Sequence, residues 1–219
     1  MQRSYIQFGC GLCAPSGWRN FDAGPVFWIQ KHISLLNPLF QRKGFPIYPV
    51  KDIEYADVVL GLPVPPKSAD AVYCSHVLEH LALDEFRAAI RNVFQYLKAG
   101  GTFRLVVPDL ESMVNRYVAT EDASAAINLM EESFLGQKIG RRGLQAAGQL
   151  LFGRSKHMWM WDYKAMFHEL EQVGFVNVRR AYFNDSADPR FKEVEDQDRW
   201  EDALGVECNT FADNGFRKS

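Results

Sequence analysis

The sequence predicts an α/β protein: a doubly wound, mostly parallel, Rossmann-like sheet of about seven strands that ends in an antiparallel hairpin. Three observations carry this reading. Short apolar, β-prone runs alternate with amphipathic helical stretches, the order required by a parallel sheet covered on both faces. Ala71-Val72-Tyr73-Cys74 reads as a strand buried on both faces, and it gives way abruptly to Ser75, His76, Glu79 and His80. Open α/β sheets bind ligands beyond the carboxyl ends of their strands, so a buried strand ending in a polar cluster marks a site. Finally, the first strand, Tyr5-Ile6-Gln7-Phe8, runs directly into Gly9-Cys10-Gly11.

Taken in order, those glycines allow a tight turn and close approach of backbone to a ligand. Pro15 and Gly17 leave little room for a helix after them, and Trp18-Arg19-Asn20-Phe21-Asp22 reads as a short second strand ending in a carboxylate. From Pro25 the residues Val26, Ile29, Ile33, Leu36 and Phe40 recur at helical spacing, with Pro38 expected to break or kink the helix. Ile47–Val50 is the expected third strand, with Asp57 after it, and Gly61 to Pro66 is a Pro-rich loop leading into the central strand. Asp84 to Leu97 has one apolar face and is expected to stop at Ala99-Gly100-Gly101, where a glycine takes the left-handed cap. Thr102–Val107 is the next buried strand, and Asp109 after Pro108 suits a helix N-cap.

Glu111 to Arg154 is mostly helical in pattern and reads as a lid insertion over residues 111–156 of a single domain, 1–219. Within it, Phe134 to Lys156 carries Lys138, Arg141, Arg142, Arg154 and Lys156 and no acid. A helix from Tyr163 to Val173, capped by Gly174, leads to a strand at Phe175–Val178. The acidic stretch Asn184–Asp202 separates that strand from a last one near Gly205–Phe211.

With 219 residues, 47% of them hydrophobic, and a net charge of −2, the chain has the composition of an ordinary globular domain. No charge excess favours a nucleic-acid partner. Met1 to Ser4 leads straight into a strand, which leaves no room for a signal peptide, and no apolar run approaches membrane-spanning length. Four scattered cysteines make no disulfide framework, so a cytoplasmic location is expected. Cys10-Gly11-Leu12-Cys13 is a C-x-x-C and keeps a thiol redox protein open, or a thiolate metal site with Cys74. A dinucleotide oxidoreductase is disfavoured, because Ala14 stands where the third glycine of G-x-G-x-x-G belongs.

Four pieces of sequence carry a resemblance. They are the first strand with Gly9-Cys10-Gly11; Gly17-Trp18-Arg19-Asn20-Phe21-Asp22; Asp70 with His76-Val77-Leu78-Glu79-His80-Leu81; and Leu97-Lys98-Ala99-Gly100-Gly101 with Val107-Pro108-Asp109-Leu110. Together, over Tyr5 to Phe183, the chain resembles the class I S-adenosylmethionine-dependent methyltransferases. It is most similar to the short-N-terminus branch of the type 11 methyltransferase domain, often found beside bacterial polysaccharide-biosynthesis enzymes. The resemblance implies S-adenosylmethionine as cofactor and methyl transfer to a small-molecule or glycan acceptor, first of all an O-methylation. A non-enzymatic scaffold that kept the fold is the alternative.

The resemblance also assigns roles. Gly9, Cys10 and Gly11 would lie against the methionine end of the cofactor, and Asp22 would accept from the ribose hydroxyls, unless it is a turn carboxylate. Asp57 and Val58 would meet the adenine, with Leu62, Ser75 and His76 as remaining walls. His76 is the first candidate base for a hydroxyl acceptor, or else lines the cofactor site, and His157 is the second. Glu79-His80 resembles the E-x-x-E-H metal site of some related quinone-pathway and RNA-end methyltransferases. Ser75 is read as standing in place of the first glutamate, so no metal is expected, and His80 is assigned to capping or packing. Arg141 and Arg142 would meet an acidic or phosphorylated acceptor, or form a solvated face. The basic, partly apolar lid also suits peripheral contact with a membrane carrying a lipid-linked glycan. Trp159, Trp161 and Tyr163 either stack on a sugar or close the core.

Overall fold

The computed structural model describes residues 4–33, 35, 37–42, 46–136 and 156–212. Its seven strands form one sheet: β1 (Tyr5–Phe8), β2 (Arg19–Asp22), β3 (Ile53–Tyr55), β4 (Ala69–Ser75), β5 (Leu97–Pro108), β6 (Val176–Ala181) and β7 (Ala203–Asn209), in the order β3-β2-β1-β4-β5-β7-β6. The first five run parallel, and β7 runs antiparallel to both β5 and β6. The chain winds outward from β1 to β3, then returns to set β4 on the other side of β1, with Ile6 opposite Val72. The crevice of such a sheet opens where the winding reverses, above the ends of β1 and β4.

The helices are α1 (Pro25–His32), α2 (Asn37–Arg42), α3 (Leu83–Tyr96), α4 (Leu110–Ala119), α5 (Ala125–Glu132) and α6 (Tyr163–Val173). One face of the sheet packs Ile6, Phe8, Val72, Phe103 and Leu105 against Phe86, Ile90 and Val93 of α3 and Met166 and Leu170 of α6. No helix lies between β1 and β2, so the other face needs a different cover. The β6–β7 connection supplies it: Phe191 and Val194, from a 3-10 turn at Pro189–Glu193, pack on Tyr5, Trp18, Ala71, Tyr73 and Val106. Arg104, in the middle of β5 and with 0% exposure, latches this connection. Its guanidinium meets Asp185 at 2.9 Å and Glu207 at 3.0 Å, pairs with Glu195, and donates to the Tyr182 carbonyl at 2.6 Å.

Several expectations hold as read. Gly174 takes φ +108° and caps α6, and Asp109 caps α4 by accepting from Glu111 N at 3.0 Å. Others are corrected. The third strand is Ile53–Tyr55 rather than Ile47–Val50. Pro46 and Pro49 flank and interrupt the earlier run, and a residue without an N–H does not continue a ladder. The helical stretch expected from Pro25, broken or kinked at Pro38, is indeed broken, but earlier: α1 ends at His32 and α2 begins at Asn37. Pro38 lies in the first turn of α2, where a missing N–H costs nothing, so it starts a helix instead of kinking one. The α3 helix stops at Tyr96, and Leu97 to Gly101 already belong to β5; Gly100, at φ +73°, serves an irregular strand start and not a helix cap. Between β5 and α6 the chain forms α4 and α5, while Lys138, Arg141, Arg142 and Arg154 lie outside the described residues. Among the described residues no helix is long and apolar enough to cross a membrane.

Candidate functional site

The site grows from the turn after β1. Gly9 and Gly11 sit at φ +62° and +56°, in the left-handed region that side chains disfavour. A Cβ on Gly9 would fall 2.1 Å from Val77 Cγ2, so this glycine lets the exits of β1 and β4 touch. A Cβ on Gly11 would meet only Arg199 Nη2, at 3.6 Å, across open space. At the end of β2, Asp22 accepts from Gly11 N at 3.0 Å through Oδ2 and from Gly24 N at 2.6 Å through Oδ1. One carboxyl thus shapes both loops.

Beside the turn lies a cleft of about 520 Å³ whose walls include Gly9, Cys10, Gly11, Tyr48, Ser75 and Arg199. That volume falls in the range of pockets that take small organic ligands. Arg199 comes from the β6–β7 connection and donates to the Ser75 carbonyl at 3.1 Å. Sequence reasoning missed it, since no motif surrounds it. The structure therefore brings Gly9, Cys10, Gly11 and Ser75 together and places Asp22 directly behind Gly11. Asp57, Val58 and Leu62 do not line this cleft. Asp57 accepts from Val59 N at 2.9 Å, Asn92 donates to the Val58 carbonyl at 2.8 Å, and Leu62 N donates to the Tyr96 hydroxyl at 2.7 Å.

The cysteines do not assemble. Cys10 packs with Phe27 and Ile53, whereas Cys74 lies in the core on the α3 side. Burial raises the pKa of both Cys10 and Cys13, the reverse of what a reactive thiolate needs.

The polar cluster after β4 is a second centre. His76 takes φ +54°, and its ring is held at both nitrogens: Nε2 donates to the Arg199 carbonyl at 2.9 Å, and Nδ1 lies 3.3 Å from Glu79 Oε1. Burial opposes charge on this ring, but the Glu79 contact and the carbonyl outweigh it and raise the pKa. Glu79, in the 3-10 turn Leu78–His80, is fully buried, and neither of its carboxyl oxygens has a hydrogen-bond partner. His80 donates Nδ1–H to the Lys156 carbonyl at 3.1 Å and turns Nε2 toward Glu79 Oε1, 3.9 Å away. Met158 N and Trp159 N both donate to the Glu79 carbonyl, at 2.7 and 3.2 Å. That pairing carries His157 in beside His80, ring centroids 5.1 Å apart. Burial lowers the His157 pKa, and its Nδ1 has no partner. Counting back three positions from Glu79 reaches His76, not Ser75, so the sequence reading that set a metal aside misplaced the first position of the pattern. Of the aromatic trio, Trp161 closes the core on Phe86, Tyr163 is half-buried, and Trp159 stays 41% exposed.

A family model described as a methyltransferase domain matches residues 8–180. Among solved structures, a SAM-dependent methyltransferase from Thermotoga maritima, described as a possible histamine N-methyltransferase, is 10% identical. That match covers 94% of this chain and 81% of that chain, with a TM-score of 0.50, and shows a shared fold. A SAM-dependent methyltransferase from Archaeoglobus fulgidus is 16% identical over 95% of this chain and 86% of that chain, with a TM-score of 0.49. No curated protein matches. On the family match, the chain belongs to the methyltransferase-domain family.

Proposed function

We propose that this member of the methyltransferase-domain family transfers a methyl group from S-adenosylmethionine to a hydroxyl of a small-molecule or glycan acceptor. The observation that carries the reading is the paired turn. Two left-handed glycines and a carboxyl meet at the tips of neighbouring parallel strands, beside a cleft of about 520 Å³. The residues fit the cofactor: Gly11 leaves open the space a Cβ would fill, and Arg199 brings a guanidinium to a cleft whose ligand carries a carboxylate. Gly9, Cys10 and Gly11 would hold the methionine end, Asp22 would use its remaining lone pairs on the ribose, and Ser75 and His76 would wall the reacting end. Asp57, Val58 and Leu62 remain the proposed adenine side, which requires the ligand to reach past the cleft toward β3. When bound, S-adenosylmethionine supplies an electrophilic methyl on a sulfonium.

The chain's own contribution is alignment of the acceptor and disposal of its proton. His76 keeps both ring nitrogens engaged, so it orients the loop; His157 presents the free nitrogen, Nδ1. Phe134 keeps an exposed ring beside His157, and Trp159, two residues further on, is exposed as well, aromatic surface suited to stacking on a sugar. That supports a glycan acceptor and a place in polysaccharide biosynthesis inside the cell. A thiol redox role is disfavoured, because burial raises the pKa of both Cys10 and Cys13.

The test is calorimetric titration with S-adenosylmethionine and, separately, NAD. We expect the first to bind and the second not to, and Asp22→Ala to weaken binding by about tenfold or more, as loss of charge-assisted hydrogen bonds does. A folded protein that ignores S-adenosylmethionine overturns the reading.

A further inference from the structure

We propose that Glu79, His80 and His157 form a binding site for one divalent transition-metal ion of the zinc class. Each offers a ligand atom, and these atoms lie within 4.8 Å of one another. Bonds of about 2.0–2.1 Å set neighbouring ligand atoms roughly 3–3.5 Å apart, so the site contracts by about 1 Å on binding. The orientation of each side chain is already the one a ligand needs. His80 spends Nδ1–H on the Lys156 carbonyl, which leaves the lone pair on Nε2, the nitrogen facing Glu79. His157 sits with its ring centroid 5.1 Å from that of His80, and its Nδ1 is left bare and buried. Metal-ligating histidines characteristically give their other nitrogen to such a carbonyl, because it fixes tautomer and ring orientation.

Glu79 makes the same point from the acid side. A carboxyl at 0% exposure is costly unless it is paired or coordinates an ion. Neither carboxyl oxygen has a hydrogen-bond partner; His76 Nδ1 comes nearest, 3.3 Å from Oε1. An ion between the two histidines would complete it, with His76 as the outer partner that holds the carboxyl in place. Two nitrogens and one oxygen suit Zn²⁺, Co²⁺ or Fe²⁺; Mg²⁺ and Ca²⁺ prefer oxygen throughout. Three protein ligands leave a coordination position open, as catalytic sites do. That an acceptor oxygen takes this position, with the ion lowering the pKa of its hydroxyl in place of a base at His157, rests on the methyltransferase reading; the ion site itself does not.

The experiment strips the full-length protein with a chelator and titrates it with Co²⁺, then Zn²⁺, then Mg²⁺. We expect one Co²⁺ per chain with visible ligand-field absorption, bleached by Zn²⁺ and untouched by equimolar Mg²⁺. Glu79→Gln and His157→Gln should each weaken Zn²⁺ binding by about tenfold to a hundredfold or more, with His76→Gln nearer the lower figure. His80→Gln, at a partly exposed position, supplies the same comparison if either buried variant fails to fold. Exposed His168→Gln should bind as the parent does. No stoichiometric Co²⁺ in folded protein, or folded variants that bind Zn²⁺ unchanged, overturns the site. S-adenosylmethionine titration of the same stripped samples keeps the two readings apart, since it should succeed with or without the ion.

Discussion

Among the described residues Arg199 is the one cation lining the candidate cofactor cleft, and its guanidinium is only partly spent on the Ser75 carbonyl. Its charge has a specific use if the ligand ends in a carboxylate, and none if the ligand is a bare nucleoside. Arg199→Gln should therefore weaken S-adenosylmethionine by about tenfold, in line with a charge-assisted hydrogen bond, and leave adenosine affinity within about twofold. Parallel calorimetric titrations with the two ligands decide it, and equal losses for both would place the arginine in a purely structural role. The contrast with Gly9, Gly11 and Asp22 shows what a sequence exposes. Those residues sit at strand ends whose apolar runs are local and readable, so their proximity follows from parallel pairing alone. Arg199, and the meeting of His157 with Glu79, depend on long connections: a β6–β7 excursion, and two backbone amides at Met158 and Trp159 reaching the Glu79 carbonyl. Nothing in the neighbouring sequence announces either contact.

The β6–β7 excursion takes the place of the helix that the chain does not form between β1 and β2. Its anchor is Phe191, fully buried on Trp18, with ring centroids 5.6 Å apart, and on Tyr73 at 6.2 Å. Phe191→Ala should cost about 3–5 kcal/mol, the usual range for a deleted core aromatic. If the excursion also carries a cofactor-site residue, hydrogen exchange should quicken across 183–200 while α3 stays protected, and S-adenosylmethionine affinity should fall at least as far as in Arg199→Gln. The same element has an acid limb. Burial works against the Asp185 carboxylate, but Arg179 and Arg104 more than compensate and hold its pKa below the ordinary value of 3.8. A depressed folded-state pKa contributes stability that is complete above the unfolded value and lost as pH falls through the folded one. Urea midpoints should therefore drop below about pH 3.8, and this part of the drop should vanish in Asp185→Asn. Elements with their own punctuation, such as α6 between Asp162 and Gly174, were legible in advance. β3 was not, because Ile47–Val50 is the more apolar run, and it is Pro46 and Pro49, not hydrophobicity, that keep it out of the ladder. Covering one sheet face with an excursion was equally hidden, since the buried Arg104 that latches it reads in sequence as a polar break in an apolar strand.

At the scale of the molecule, the cleft joins stretches far apart in sequence: the turn after β1, the end of β4 with Ser75, and the excursion with Arg199. A ligand there binds the native arrangement and has nothing comparable in the unfolded chain, so its binding free energy is added to folding. At a ligand concentration of 100 times Kd the gain is about 2.7 kcal/mol. For a protein of roughly this length each kcal/mol moves Tm by about 2–4 °C, which predicts a rise of roughly 5–11 °C with S-adenosylmethionine. NAD should produce no rise. At the same fixed ligand concentration, Arg199→Gln loses about 1.4 kcal/mol of that gain for a tenfold weaker Kd, so its Tm rise should shrink to about half. Scanning calorimetry of parent and variant, with and without ligand, reads this directly. A full rise in Arg199→Gln would remove the excursion from the cofactor site and leave it as cover for the sheet, while a rise absent in both proteins would count against the cleft itself.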